Sequence, residues 1–310
     1  MHVHAHPHDH SVTGRRLQIS LWITAAFIVI ELVAGIQANS LALLSDAGHN
    51  FTDTLALALA WAAFRWQQMP PDESRTFGYH RAGVLAAFVN SLTLVALSVW
   101  IFVESYHRFL EPRQVQETIM IVVAGAGLVV NLAVMKALHS ASAHDINVRS
   151  AFVHMLGDAL GSVGIIVGGF IIRATGLEWI DPLLSVLIGV LILWTAFDIV
   201  RESLNILLEG LPRGLTREDV WTALKSVDGV ADVHDLHIWS LSSSEHALSC
   251  HAVIADLPPS ASGAILRRMN HMLADRFGIG HTTVQFEHLE CAEAMEICCG
   301  PSPVTREHVH

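Results

Sequence analysis

Over the first two thirds of the chain, apolar residues come in long blocks, and after that they give way to short alternation. The blocks lie near 15–37, 41–66, 82–106, 115–138, 148–173 and 179–200. A helix of about 20 apolar residues is long enough to cross the ~30 Å hydrocarbon core of a bilayer. These blocks therefore predict six transmembrane helices. After Arg201 the character changes, and residues 211–290 alternate polar and apolar positions like a water-facing domain. There the spacing predicts a helix over 216–227, strands over 230–241 and 246–255, a helix over 260–277 and a strand over 281–288. Thr216 is the expected cap of the first of these helices, with Glu218 and Asp219 suiting its first turn. The expected fold class is a membrane all-α part with six transmembrane helices, followed by a small cytoplasmic α+β domain. The chain is expected to divide into a His-rich tail (1–14), a transmembrane domain (15–208), a cytoplasmic domain (209–290) and a Cys/His-containing tail (291–310).

Composition fits this division. Only 15% of the residues are charged, against about 25% in an ordinary soluble domain. Loop charge sets the orientation, because Lys and Arg favour the cytoplasmic side. With the N-terminus inside, the inner loops hold Arg15, Arg16, Arg65, Arg75, Arg81, Lys136, Arg149 and Arg201, and the outer side holds Arg108, Arg113 and Arg173. Both termini and the soluble domain are expected in the cytoplasm, with the protein in the cell's inner membrane. The start, "MHVHAHPHDHSVTGRR", has no apolar core of a cleavable signal. A net charge of −11 argues against nucleic acid as a partner. A reducing compartment disfavours structural disulfides, so Cys250, Cys291, Cys298 and Cys299 are either thiolate ligands or inert thiols.

Ionisable groups inside two spans carry the candidate chemistry. "LLSDAGHNFTDTLALALAWAAF" places His49 and Asp53 four residues apart, on one helix face. "FVHMLGDALGSVG" repeats the spacing with His154 and Asp158. Each such group costs about 2.5–3.5 kcal/mol at mid-membrane on insertion scales. Two imidazoles and two carboxylates converging on one point make a tetrahedral set suited to zinc. Zinc with two aspartates and two neutral histidines carries no net charge, and so does the empty site holding two protons. That symmetry predicts exchange of zinc for protons. Asp46 belongs to an access path, belongs to a proton route, or caps the span. Glu31, Asn90 and Asn131 read as packing or lining residues. Gly157, Gly161, Gly164 and Gly168 predict a seam where another helix approaches span five closely.

The combination "SLALLSDAGHNFTD", "TFGYHRAGVLAAFVN", "HDINVRSAFVHMLGDALGSVG", "DPLLSVLIGVLIL" and "VADVHDLHIWSL" resembles the cation diffusion facilitator family, on its zinc-transporter branch. The resemblance implies a homodimeric antiporter that exports divalent metal in exchange for protons, with a ferredoxin-like cytoplasmic domain that carries the dimer contact. It implies a transport site at His49, Asp53, His154 and Asp158, with zinc as the transported ion and no prosthetic cofactor. The histidine at position 49 implies a preference for zinc, whereas an aspartate there admits cadmium in the family. Some members hold metal in the loop after span two; here Arg75 and Tyr79 stand where histidines would be, so no site is expected there. The short run with His139 and His144 suits a bacterial member. Arg81 and Glu209 match a pair that joins the membrane and soluble parts in the family.

In the soluble domain, alternation turns Leu248, Cys250, Ala252 and Ile254 to the core and His251 away from it, with Val284 and Phe286 inward and Gln285 and Glu287 outward. His251 and Glu287 are expected to share an exposed face. The resemblance implies a regulatory zinc site at His234, His251 and Glu287, with Gln285 replacing a usual ligand. Parity puts His234 with Leu236 and Ile238 on the core side unless the strand starts after it. "MHVHAHPHDH" reads as a weak zinc collector or a plain disordered tail. An intramembrane zinc hydrolase would need a His-Glu-x-x-His helix and an open coordination position, and the sequence offers neither. A metal sensor with a membrane anchor leaves the paired motifs of spans two and five unexplained.

Overall fold

The computed structural model describes the backbone over 10–142 and 146–288, and side chains over 24–136 and 155–288. His144, the side chains of His139 and His154, residues 1–9 and the tail 291–310 with its three cysteines lie outside the described residues.

Every expected span is a helix: α1 (His10–Ala38), α2 (Leu41–Gln67), α3 (Ala82–Leu110), α4 (Glu117–Ser142), α5 (Ile146–Thr175) and α6 (Ile180–Leu207). Four bounds differ most from expectation. The helix α1 starts at His10, inside the expected tail; α3 continues to Leu110; α4 continues to Ser142; and α6 runs past Arg201, burying Ser203 and Ile206. Among the described residues, four helical stretches are long and apolar enough to cross a membrane: Ala82–Leu110, Glu117–Lys136, Met155–Thr175 and Ile180–Leu207. Thr24–Ala38 is apolar but shorter. The polar residues Asp46, His49, Asn50 and Asp53 lower the hydropathy of the first half of α2. Large apolar side chains point outward, Trp194 73% exposed and Trp61 68%. Such a surface is a liability in water and ordinary against lipid. Hydroxyls on these helices turn back to their own backbone, as Ser45 to Leu41 O (2.7 Å) and Ser185 to Asp181 O (2.8 Å). Each thereby satisfies a donor where water is scarce.

The described residues form two compact units. The first takes the described residues up to Trp61 together with Val89–Val200. Its core joins Ala38, Ala42 and Leu43 to Val115, Met120, Ala124, Ile165, Ile172 and Ile180, and a smaller cluster joins Leu94 and Ile101 to Ile192 and Ala196. The start of α2 is capped from another helix. Asp181, fully buried in α6, accepts from Ser40 Oγ (2.6 Å), Leu41 N (2.7 Å) and Ala42 N (3.2 Å), while Arg108 Nη1 lies 3.5 Å away. The first N–H groups of a helix have no partner within it, so one carboxylate from α6 supplies what α2 lacks. The glycine seam expected on α5 is only partly a packing face. A methyl at Gly168 would run into Leu184 of α6 and one at Gly161 would touch Asp46 of α2, whereas one at Gly157 or Gly164 meets nothing within 4 Å among the described residues. The tightest approach to α4 is instead at Gly169, against Ile121.

The second unit takes Ala62–Phe88 together with the described residues from Arg201 onward. It holds α7 (Arg217–Lys225), β1 (Val230–Ser240), β2 (His246–Ile254), α8 (Pro259–Phe277) and β3 (Ile279–Glu287). Thr216 caps α7, its side chain accepting from Asp219 N. The sheet order is β1-β2-β3, with β1 antiparallel and β3 parallel to the central β2. The parallel pair needs a crossover, and α8 supplies it. Val220 and Leu224 of α7, together with Ile265, Met269 and Leu273 of α8, pack on Val233, Leu236, Leu248, Cys250 and Ala252 of the sheet. The helices therefore cover one sheet face, and the other remains for polar residues.

Candidate metal centres

On α2, His49 and Asp53 sit one turn apart, and α5 brings Asp158 to the same place. His49 Nε2 lies 3.6 Å from Asp53 Oδ2 and 3.9 Å from Asp158 Oδ1. Ligand atoms around tetrahedral zinc, with bonds near 2.0–2.1 Å, stand about 3.3–3.4 Å apart. The imidazole therefore stands between two carboxylates at a spacing slightly wider than a bound ion would impose. Asp158 is buried and the side chains of His49 and Asp53 are half-buried, 19% and 27% accessible, so the site is only partly withdrawn from solvent. His154 lies on α5 four residues before Asp158, and its side chain is outside the described residues.

Asp46 does not cap α2, because Ser40 and Asp181 do so and Asp46 lies inside the helix. It is buried, with Oδ1 about 4.0 Å from where a Cβ on Gly161 would lie, which leaves the path and proton readings. Glu31, fully buried on α1, accepts from Asn50 Nδ2 at 3.2 Å. Asn90 is buried and Asn131 half-buried.

The second constellation lies on the sheet face opposite the helices. His234 pairs with His251 across β1 and β2, and His251 pairs with Gln285 across β2 and β3. Glu287 reaches both rings: Oε1 is 2.8 Å from His251 Nδ1 and Oε2 is 3.2 Å from His234 Nε2. Gln285 Nε2 donates to Glu287 Oε1 at 2.9 Å. One ligand atom from each of His234, His251 and Glu287 falls within 4.8 Å of the others. That set fits zinc by its chemistry, two imidazoles and a carboxylate. The 3.2 Å contact is close to the separation of tetrahedral ligands, and the 2.8 Å one, a hydrogen-bond distance, would widen to about 3.3 Å around an ion.

Two expectations about this face need correction. His251 and Glu287 are not exposed: their side chains are 19% and 11% accessible. His234 is not on the core side either. A register shift falls between His234 and His237, and Asp235 adopts φ 49°, the left-handed conformation of a bulge residue. One residue is thereby inserted, so the core positions run Val233, Leu236, Ile238 and His234 turns to the polar face. Asp235 itself, which sequence reasoning passed over, brings Oδ2 to 3.8 Å from His251 Nε2. The three-residue step between the apolar Val233 and Leu236 was the signal that marked it.

The loop between α2 and α3 is closed by its own donors. Asp72 accepts from Ser74 Oγ (2.6 Å), Ser74 N (2.8 Å), Arg75 N (2.8 Å) and Tyr79 OH (3.1 Å). These bonds, led by the Ser74 hydroxyl, pull its carboxyl down to about 2. With the folded value depressed, the turn keeps this stabilisation above the ordinary carboxylate range and loses it as pH falls from about 4 towards 2. Asp72→Ala is expected to leave the amount of zinc bound per chain unchanged, as read by metal analysis after dialysis; a drop by one equivalent would reveal a loop site. Arg81 Nη2 meets Glu209 Oε1 at 3.2 Å, and His80 Nδ1 meets Glu245 Oε2 at 2.7 Å. Burial pushes the Cys250 thiol up to about 11, so it is an inert core thiol rather than a thiolate ligand.

Family models match most of the chain: the cation efflux transmembrane domain over residues 17–208, and the cation efflux protein cytoplasmic domain over 212–289. The metal cation efflux system protein CzcD of Cupriavidus metallidurans is 42% identical over 290 residues, 93% of this chain and 92% of that one. A cadmium, cobalt and zinc/H(+)-K(+) antiporter of Bacillus subtilis is 37% identical, covering 98% of this chain and 99% of its own length. The zinc transporter ZitB of Escherichia coli is 38% identical, covering 94% and 93%.

Proposed function

Since the chain belongs to the cation efflux family, on its zinc branch, whose members are membrane metal cation transporters and not enzymes, we propose that it exports zinc from the cytoplasm in exchange for protons. The cargo is held by His49, Asp53, His154 and Asp158. The observation that carries this reading is His49 standing between a carboxylate of its own helix and one from α5. All six long helices span the inner membrane, both termini are cytoplasmic, and the soluble domain is ferredoxin-like and forms a homodimer. Zinc entering from the cytoplasm displaces protons from the imidazoles and carboxylates; the helices then rock to open the site outward, and protons from that side compete the ion away. Histidine suits that competition, because an ordinary imidazole titrates near 6.5, inside the physiological range. Other divalent transition metals fit the same ligands less selectively; the relatives from Bacillus subtilis and Cupriavidus metallidurans are named for wider metal handling. In sealed proteoliposomes an imposed pH gradient is expected to drive zinc uphill, with a proton-sensing dye reporting opposed movement. Zinc flux with no linked proton flux would defeat the exchange.

A second zinc ion at His234, His251 and Glu287 regulates transport in this reading. It replaces the contacts that Glu287 makes with both rings, stiffens the sheet face, and biases the spacing of the two cytoplasmic domains in the dimer. Loss of even an outer-shell partner of a metal site costs about 10–100-fold in affinity. Glu287→Gln, on the full chain with the membrane site disabled by Asp53→Ala, is expected to weaken zinc binding by about that factor in calorimetry. Unchanged affinity would remove this site.

A further inference from the structure

Zinc with two aspartates and two neutral histidines already carries no net charge, so any further acid at that depth must find its own compensation. The bundle holds two more. Glu31 of α1 is fully buried and Asp46 of α2 is 6% exposed. The chain has no lysine or arginine over 17–64, 82–107, 118–135, 150–172 and 180–200. Helices α3, α4 and α6 have no titratable side chain at all over 82–103, 118–135 and 182–197. The titratable neighbours left to face the two acids are therefore His49 and Asp53 of α2 and His154 and Asp158 of α5. Arg108 is engaged by Asp181 and Glu104 at the start of α2.

The two carboxyls touch. The Glu31 side chain is in hydrogen-bond contact with that of Asp46, and its Oε2 accepts from Asn50 Nδ2 at 3.2 Å. Its Oε1 is buried with no donor among the described residues. An ionised carboxylate only accepts, so a hydrogen bond between two of these groups needs a proton on one of them. Two ionised carboxylates in contact would also repel strongly where little water screens them. A shared proton answers both, because it is the donor that this buried pair otherwise lacks.

Position couples the pair to the cargo. Asp46 lies three residues before His49 on the same helix, about one turn away. The charge of Asp158 acts on both Glu31 and Asp46. With zinc absent, that negative charge favours a further proton on the pair; a dication on Asp158 reverses the field and favours its loss. Neither acid has to touch the metal for this to happen.

We propose that Glu31 and Asp46 form a proton-holding dyad outside the metal shell, with one shared proton while zinc is bound and a second when zinc leaves. The dyad is then a seat for one of the exchanged protons, so the inference rests on the zinc–proton exchange proposed above. The proton released on zinc loading comes from a carboxyl O–H of the pair, which goes from neutral to a single negative charge as the dication arrives.

The test counts protons released per zinc by the full chain in detergent, using calorimetry in buffers of different ionisation heat. The double variant Glu31→Gln/Asp46→Asn keeps both volumes and removes both acids, and is expected to release about one proton fewer than wild type. Equal, non-zero release in the two proteins overturns the dyad and leaves the exchange standing. No release in wild type defeats both. Infrared spectra of zinc-saturated protein give a second readout, because zinc keeps its own aspartates ionised. A protonated-carboxyl carbonyl band is expected in wild type and lost in the double variant, or in Asp46→Asn alone if the double variant does not fold. A zinc-saturated wild type without that band overturns the proposal.

Discussion

Zinc flux through Asp158→Ala proteoliposomes is expected to fall by about 100-fold or more, at or beyond the upper end of what losing an outer-shell partner of a metal site costs. Asp158 is the carboxylate that α5 brings to within 3.9 Å of His49. Without it the cargo keeps one aspartate, so a dication at that depth carries an uncompensated positive charge. Asp53→Ala removes the other half of the compensation and is expected to fail equally. Asp158→Asn separates charge from shape: it keeps the side-chain volume and an oxygen, yet is expected to lose most of the flux. The protein itself should remain folded and inserted, because Asp53 and Asp158 belong to neither apolar core cluster of the first unit. Wild-type flux in either alanine variant would sink the site.

Asp181→Ala is the second large effect, and it acts on stability. The carboxylate serves Ser40 Oγ, the N–H groups of Leu41 and Ala42, and the buried Arg108, which also donates to Asn39 O at 2.6 Å. Deleting it leaves Ser40 Oγ and the N–H groups of Leu41 and Ala42 buried without that acceptor, at about 1–3 kcal/mol for each unsatisfied group. Arg108 keeps Glu104 Oε1 at 3.0 Å and Asn39 O. A total loss of about 3–5 kcal/mol is the scale of breaking such a buried charged network. Thermal unfolding in detergent is expected to show a loss of that size, and Asp181→Asn a smaller one, because the amide oxygen still accepts from α2. A change below about 0.5 kcal/mol, the range of neutral surface substitutions, would mean that water replaces the cap. Flux should fall as well, because Asp181 fixes the first turn of the helix that carries His49 and Asp53.

Much of the fold could be read from the chain, for a physical reason: in lipid every backbone group must be satisfied within its own segment, so a long apolar run has little choice but a helix. The six helices therefore fall where the apolar blocks lie, and bounds drift only where polar surroundings loosen that constraint, as at the end of α6. The alternation of Leu248, Cys250, Ala252 and Ile254 placed the core face of β2 correctly for the same kind of reason. Parity failed at His234 because alternation assumes an unbroken strand, and the bulge at Asp235 breaks it.

What the sequence determined by itself is local: which segments are helices or strands, and which polar residues share a face at a spacing of four or two. The His49–Asp53 pairing is of that kind, set by 3.6 residues per turn. Contacts between distant segments were decided only by tertiary structure: α5 bringing Asp158 to His49, α6 capping α2 through Asp181, and Glu287 closing on two histidines from different strands. Spacing along a chain fixes angles about one helix or strand axis. It does not fix how one axis lies against another, and that depends on how side chains many residues apart fill the space between them.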